Sequence, residues 1–235
     1  MCSELSAYAT DDLLRMINDG EDRGEDFTYN ALWGTVFKRW RKGIDLEPLI
    51  ELLQSEKSGE RERGAWYLDE ADPPADRVAD VIIKLADDPM GHCRWRFVAY
   101  VTNSRLYSDA IADRLAACLL DLDLCVRART IFWAVVADCK EFAHFSEAVL
   151  SGAGTKTYKF SNPDNTAFWR ASERKRAARG IKIAQRLRAG ESVASIRDSM
   201  PEEDSYSFDY LAFLDRAIKR ALAHRAAKAG AASGS

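Results

Sequence analysis

The sequence of 235 residues lacks the features that mark several large classes of protein. No apolar run approaches the roughly 18 residues that suggest a membrane span, so we expect no membrane association. The first residues, Met1–Glu4, offer no basic region followed by an apolar stretch, which predicts no secretory signal. With 47% hydrophobic and 30% charged residues, the composition predicts a globular, cytoplasmic protein.

Cysteine is also scarce. The chain has five cysteines, an odd number with no CxxC pair, which argues against a disulfide framework. Cys118 and Cys139 lie within apolar helical patterns. We therefore expect buried, reduced thiols in a reducing compartment.

The signatures of enzymatic sites are missing as well. The three histidines, His92, His144 and His224, are far apart and belong to no HExxH or His-Cys cluster. No Walker A loop, GxGxxG motif or GxSxG elbow occurs. Most carboxylates fall at helix caps and turns. The sequence therefore predicts no catalytic residues, no metal, no cofactor and no enzymatic activity.

What the sequence does contain is a repeat of 33 residues. A period that several kinds of residue share indicates one supersecondary unit repeated about three times. Pairs of arginines recur every 33 residues, and these pairs are Arg61 and Arg63, Arg94 and Arg96, and Arg127 and Arg129. The other positions that keep this period are Leu49, Ile82 and Leu115; Ser55, Asp88 and Asp121; and Tyr67, Tyr100 and Trp133.

Each repeat has the pattern of a helix, a turn and a second helix. We expect the first helices to start at an Asp45 cap, at Pro74 and at a Ser108 cap. No alternation typical of strands occurs, so the predicted fold class is all-α. The predicted regions are N-terminal helices at 1–45 that form a degenerate first repeat, a repeat array at 46–152, a basic helical region at 153–228 and a disordered tail at 229–235.

The segment Asp123-Leu-Cys-Val126-Arg127-Ala places an acidic turn before Val-Arg and an apolar helix. This arrangement resembles the second-helix signature of HEAT-type repeats, and the resemblance covers about residues 46–140. It implies a HEAT-like α-solenoid of about three to four helical hairpins with a C-terminal helical extension. The first repeat departs from the signature at Ser55 and at Glu60-Arg61.

The resemblance also implies roles for the arginines. In HEAT-like arrays the arginine that starts the second helix bonds the acidic turn of its own or the adjacent repeat. We therefore expect Arg94 and Arg127 to pair with the turns at Asp88 and Asp121 rather than to bind a ligand.

Second helices of such arrays usually line the concave face, where extended partners bind. A partly exposed tryptophan beside acidic residues suits a protein-binding hot spot. The alternative is that the two tryptophans of these second helices, Trp66 and Trp95, pack between repeats, because tryptophan is usually buried. The candidate partner-binding residues are Glu62, Trp66, Asp69, Glu70 and Trp95.

The net charge of −3 conceals an asymmetry. Residues 1–150 hold 28 acidic and 18 basic residues, whereas residues 151–235 hold 9 and 16. A basic helix predicted over 167–189 could neutralise phosphates without reading sequence. Docking of this helix on the acidic array of the same molecule is the favoured alternative. Its candidate nucleic-acid contacts are Arg170, Arg174, Lys175, Arg176 and Arg179.

Two functions fit these patterns. An acidic HEAT-like protein without a catalytic site resembles, in architecture, the immunity proteins of bacterial toxin systems. That resemblance implies capture and neutralisation of a basic toxin domain. The alternative is a nucleic-acid-binding protein, either similar to HEAT-like DNA glycosylases or binding DNA or RNA through its C-terminal helices. Those glycosylases are expected to present a basic groove, whereas this array is acidic, so we favour protein capture.

Overall fold

Helices account for all the regular structure in the described part of the chain. The computed structural model describes residues 5–19, 29–151, 163–200 and 205–233, and no strand occurs within them, which confirms the all-α prediction. A short 3-10 helix, Leu5–Ala7, comes first. The α-helices are α1 (Thr10–Asp19), α2 (Tyr29–Arg41), α3 (Glu47–Gln54), α4 (Ser58–Ala71), α5 (Ala75–Leu85), α6 (Gly91–Ser104), α7 (Asp109–Leu119), α8 (Leu124–Val136), α9 (Cys139–Ser151), α10 (Pro163–Arg188), α11 (Val193–Asp198) and α12 (Ser205–Ser233).

The chain divides into two units. Unit 1 is Met1–Leu85 and contains α1 to α5, and unit 2 is Ala86–Ser235 and contains α6 to α12. In unit 1, α1 packs on α2, α2 on α4, and α3 on both α4 and α5. In unit 2, α6 packs on α7 and α8, and α7 packs on α8 and α9. Within each unit, therefore, helices pack both on the helix that follows them in sequence and on the helix after that.

An aromatic cluster forms the centre of unit 1. Trp33, Phe37 and Trp40 of α2 lie against Tyr67 of α4, with ring centroids between 4.4 and 6.5 Å apart. Trp40 is fully buried, and its Nε1 donates a hydrogen bond to the Asp45 carbonyl at 2.9 Å. A buried indole whose N–H has a partner contributes its full apolar area without an unsatisfied polar group.

Helix α8 is the centre of unit 2. Helices α6, α7, α9, α10 and α12 all pack against it, and ten of its thirteen residues are buried. Its C-terminal carbonyls accept hydrogen bonds from two arginines: Arg105 bonds Val136 at 3.0 Å, and Arg188 bonds Ala134 and Ala137 at 2.8 Å. The two guanidinium groups satisfy carbonyls that have no partner within the helix and offset its negative end.

The three turns at 33-residue spacing share one geometry. The helices that follow them start at Ser58, Gly91 and Leu124, each 33 residues after the last. The residue before each helix has φ of −81°, −84° or −75° and ψ of 121°, 122° or 120°. In each turn a side-chain oxygen accepts the N–H two residues on. These pairs are Ser55 with Lys57, Asp88 with Met90, and Asp121 with Asp123.

An arginine closes each of these turns. Arg61, Arg94 and Arg127 donate from Nη1 to the carbonyl six residues earlier, at 2.9, 2.7 and 2.8 Å. Arg94 also forms a two-pronged ion pair with Asp121, at 2.6 Å from Nε and 2.8 Å from Nη2, and this hydrogen bonding raises the pKa of Arg94. The predicted pairing of Arg94 and Arg127 with the turns is confirmed.

One predicted cap is wrong. Asp45 does not cap α3, which follows Leu46 and has no side-chain cap. Asp45 instead adopts a left-handed φ of +52°, which short polar residues tolerate, and its carboxylate accepts a hydrogen bond from Thr10 Oγ1 at 2.7 Å. A tertiary bond to α1 thus replaces the local cap. The sequence also indicates a helix stop at Gly43, and this is confirmed, because α2 ends at Arg41 and Gly43 has a left-handed φ of +71°.

The expectation of buried thiols holds only in part. Cys93 and Cys118 are buried, whereas Cys125 and Cys139 are exposed. The two exposed thiols lie in the first turns of α8 and α9. The apolar pattern around Cys139 therefore predicted a helix correctly, but it did not show that Cys139 lies on the exposed side of that helix.

The C-terminal helix is longer than the sequence predicted. Helix α12 continues to Ser233 instead of ending near Lys228, so helix extends into the tail predicted as disordered. The tail is rich in alanine, the strongest helix former, which accounts for the extension. The sequence also indicates a helix stop at Gly20 and an acidic loop at 21–27, and both lie outside the described residues.

Gly64 generates a prediction about the packing of α3 on α4. A Cβ at Gly64 would lie 2.9 Å from the Leu52 Cβ and 2.9 Å from the Leu53 backbone nitrogen. Gly64→Ala should therefore separate the two helices and lower the free energy of unfolding by about 1–3 kcal/mol, measured by urea denaturation. Gly59→Ala on the same helix meets nothing within 4 Å and should stabilise by up to about 1 kcal/mol. Equal effects of the two changes would contradict the close approach.

The Arg94–Asp121 pair generates a second prediction. The side chains are only 12% and 2% exposed, so Asp121→Ala leaves a guanidinium without its carboxylate in a buried place. We expect a loss of about 3–5 kcal/mol in the free energy of unfolding by urea denaturation. The control is Asp87→Ala, which breaks the exposed pair with Arg114 and should cost less than about 1 kcal/mol. A loss at Asp121 no larger than that at Asp87 would show that the buried pair does not stabilise the fold.

Candidate functional site

Four of the predicted partner-binding residues share one side of α4 in unit 1. Glu62, Trp66, Asp69 and Glu70 follow one another at helical spacing, so their side chains lie on adjacent rows of the helix. We call these four residues the α4 surface. Trp66 is 41% exposed and Glu70 is exposed, whereas Glu62 and Asp69 are half-buried. The fifth residue, Trp95, lies on α6 of unit 2.

The Trp66 ring is supported by the aromatic cluster of unit 1. Its centroid lies 6.3 Å from Phe37, edge-on, and 5.2 Å from Tyr67. Tyr67 is 8% exposed and Trp40 is fully buried, so the ring rests on packed side chains. An indole held in this way loses little conformational freedom when a partner covers it, which is typical of interface hot spots.

The rest of α4 supplies the buried side of the helix. Gly64, Ala65, Leu68 and Ala71 are all buried. The end of the helix is fixed by Arg41, which donates to the Ala71 carbonyl at 3.1 Å and to the neighbouring carbonyl at 3.0 Å. The core of unit 1 thus takes these four residues and Tyr67 from α4 and leaves much of the Trp66 ring in solvent.

Trp95 has a different environment. It is half-buried, and its Nε1 donates a hydrogen bond to the hydroxyl of Tyr210 on α12 at 2.9 Å. The guanidinium groups of Arg96 and Arg129 lie 4.8 and 5.5 Å from its ring centroid. Ala99 and Thr102, which the sequence places on the same side of α6, are buried. Trp95 is therefore engaged by residues of its own chain.

The Tyr210 hydroxyl stays neutral at physiological pH. Burial raises the pKa of Tyr210, and the hydrogen bond from Trp95 and the charge of Arg129 offset only part of that rise. A neutral phenol accepts the indole N–H and keeps its own proton as a donor. No sequence motif connects Trp95 with Tyr210, which lie 115 positions apart, so sequence reasoning missed this contact.

The predicted basic helix is α10, and part of its charge faces unit 2 itself. Lys175 is exposed, whereas Arg176 and Arg179 are half-buried and line a cavity of about 20 Å³ together with Arg127. This volume suffices for about one water molecule. The side chains of Arg170 and Arg174 lie outside the described part of the chain. Arg176 and Arg179 thus lie where α10 packs against α8.

Unit 2 also contains a polar cluster that the sequence analysis did not single out. The Tyr107 hydroxyl lies 2.7 Å from Nδ1 of His144, which is 3.5 Å from the Asp109 carboxylate. Burial, and then nearby carboxylates such as Glu141, raise the pKa of Tyr107 to about 12. A phenol with this pKa acts as a hydrogen-bonding group at neutral pH rather than as a base. Within the described residues, no set of three or more His, Cys, Asp or Glu side chains is arranged to hold a metal ion.

Comparison with known protein families, curated proteins and solved structures finds no match to this chain. Among the described helices, none combines the length and the apolar character needed to cross a membrane. Functional assignment therefore depends on the surfaces of the two units.

The Trp95–Tyr210 contact generates a third prediction. Tyr210→Phe removes the acceptor of a half-buried indole N–H and should lower the free energy of unfolding by about 1 kcal/mol in urea denaturation. Amide hydrogen exchange in α12 should become faster. Arg216→Ala is the control, because Arg216 is an exposed residue of the same helix, and it should change stability by less than about 0.5 kcal/mol. Unchanged exchange in α12 on Tyr210→Phe would mean that this bond does not hold the helix.

Proposed function

We propose that this protein is a non-enzymatic, HEAT-like helical-repeat module of the α-solenoid class that binds another protein. Its best-fitting role is that of an immunity-type protein, which captures and neutralises a basic toxin domain. The observation that carries the proposal is the α4 surface, where an exposed tryptophan on a packed aromatic support stands among three carboxylates.

The shared geometry of the three turns supports the repeat class. The backbone angles before α4, α6 and α8 agree within about ten degrees, and an arginine bonds the same carbonyl position each time. Contacts between a helix and the next but one, such as α2 with α4 and α6 with α8, are those expected of stacked hairpins.

The charge distribution supports a basic partner. Residues 1–150 hold 28 acidic residues against 18 basic ones, and three of the acidic residues lie on the α4 surface. Acidic surfaces accelerate encounter with a basic domain and disfavour acidic competitors. A partner that covers Trp66 would gain the apolar contact, and the surrounding carboxylates would set its orientation.

Nucleic-acid binding through α10 is the competing function. Arg176 and Arg179 line the small cavity beside α8, which leaves Lys175 as the exposed member of the three described candidates. Fewer exposed cations mean fewer phosphate contacts and weaker binding. This distribution of the basic side chains favours protein capture.

Reversal of charge on the α4 surface tests the proposed function. The tagged chain is first used to capture its partner from native cells, with nuclease treatment, and the recovered partner is then titrated against variants. The triple change of Glu62, Asp69 and Glu70 to lysine should weaken binding at least about tenfold, because a basic partner would lose three attractive charges and meet three repulsive ones.

The matched control reverses three exposed carboxylates of the same unit. Glu51 lies on α3, and Asp76 and Asp80 lie on α5, so their change to lysine alters the net charge equally without touching α4. We expect this control to weaken binding less than about threefold. Equal losses in the two variants would reject the α4 surface as the site. Recovery of nucleic acid, or of partners that vanish with nuclease, would support α10 instead.

A further inference from the structure

The α4 surface has a positional counterpart in unit 2. Trp66 and Phe132 are 66 residues apart, which is two steps of the repeat, and each is the ninth residue of its helix. Arg63 and Arg129 precede them by three residues. Helices α4 and α8 therefore carry an aromatic residue and an arginine at the same places.

In unit 2 the surface of α8 is covered by other helices of the same chain. Helix α12 packs on α8, and Phe132 is only 7% exposed beneath the Arg129 guanidinium, which lies 5.2 Å from its ring. The buried side of α12 forms an amphipathic stripe whose members recur every three or four residues. These members are Phe208, Leu211, Leu214 and Ile218. In this fold, the surface of a second helix thus accepts an amphipathic helix.

In unit 1 the corresponding place is partly exposed and carries different chemistry. Trp66 remains 41% exposed. Apolar residues suit a permanent contact within one chain, whereas carboxylates around an exposed aromatic ring suit a partner that binds and dissociates. The residues of α8 that correspond to Glu62, Asp69 and Glu70 are Ala128, Val135 and Val136, and all three are buried.

We propose that the α4 surface binds an amphipathic α-helix of the partner protein, whose apolar stripe covers Trp66 and whose lysine or arginine residues face Glu62, Asp69 and Glu70. The contact of α12 with α8 supplies the precedent for the helical form, and the carboxylates define the charge of the ligand. Cationic side chains also interact favourably with an indole face. This inference rests on the proposed function, because it specifies how the captured partner is recognised.

The test uses a basic derivative of α12 as the probe. A fluorescently labelled peptide of residues 206–224, carrying Asp209→Lys and Asp215→Lys, keeps the apolar stripe and has no acidic residue. Its binding to the full chain is measured by fluorescence anisotropy. We expect saturable binding that Trp66→Ala weakens at least about tenfold and Glu70→Lys weakens about threefold. Leu122→Ala, an exposed apolar position of unit 2, should leave binding unchanged.

The peptide control separates helix recognition from simple charge attraction. A scrambled peptide of the same composition has the same charge but no apolar stripe, and it should bind at least about tenfold more weakly. Equal binding of the scrambled peptide, or unchanged binding to Trp66→Ala, would overturn the proposal. Self-association of the chain that Trp66→Ala abolishes would assign the surface to a second copy. Binding of a single-stranded oligonucleotide that the same change abolishes would assign it to nucleic acid. Either result would also overturn the proposal.

The charge-reversal experiment keeps this inference separable from the proposed function. If reversal of Glu62, Asp69 and Glu70 weakens capture of the native partner while the peptide fails to bind, protein capture stands and a helical ligand is rejected. If reversal leaves capture unchanged, the proposed function itself is rejected. If reversal weakens capture and the peptide binds through Trp66, both are supported.

Discussion

Each of the three turns at 33-residue spacing is fixed by a hydrogen bond from an arginine side chain. From the first turn of the second helix, an arginine donates to a backbone carbonyl within the preceding turn; the pairs are Arg61 with Ser55, Arg94 with Asp88, and Arg127 with Asp121. Because each bond joins the start of the second helix to the turn before it, the bond fixes the geometry of that turn. At Arg94 the same guanidinium also bonds Asp121 of the next turn, so within unit 2 a buried ion pair joins α6 to the turn between α7 and α8.

This arrangement leaves the middle of each second helix available for other contacts. In unit 2 the chain uses that surface itself, because α12 packs on α8, and Arg188 of α10 bonds the carbonyls at the end of α8. In unit 1 the surface of α4 keeps an exposed indole with acidic neighbours. The same turn geometry is thus followed by a buried helix surface at α8 in unit 2 and by a partly exposed, charged surface at α4 in unit 1.

Much of the helical pattern could be predicted from the sequence because apolar residues recur at helical spacing and the turns contain capping residues. The Ser108 cap and the bonds of Arg94 follow from local patterns of this kind. The wrong cap at Asp45 shows the limit, because a tertiary bond to Thr10 replaces the local one. The local pattern around Asp45 does not show this bond, because Thr10 lies 35 positions away.

At the candidate site, too, a tertiary contact decides what the local sequence pattern does not. Trp66 and Trp95 follow the same sequence argument, yet Trp95 is held by Tyr210 while Trp66 is exposed. The difference depends on where α12 packs, and that contact joins residues 115 positions apart. Local periodicity predicts an amphipathic helix there but does not identify the helix that it covers.

The central claim is that partner binding occurs at Trp66, and fluorine NMR tests it most directly. The chain has six tryptophans, and biosynthetic incorporation of fluorotryptophan gives each its own signal, with Trp66 assigned by Trp66→Phe. Saturation with the captured partner should shift or broaden the Trp66 signal and leave that of the fully buried Trp40 nearly unchanged. An unchanged Trp66 signal in the saturated complex would contradict the account, since a partner that covers α4 cannot leave this ring in its free environment.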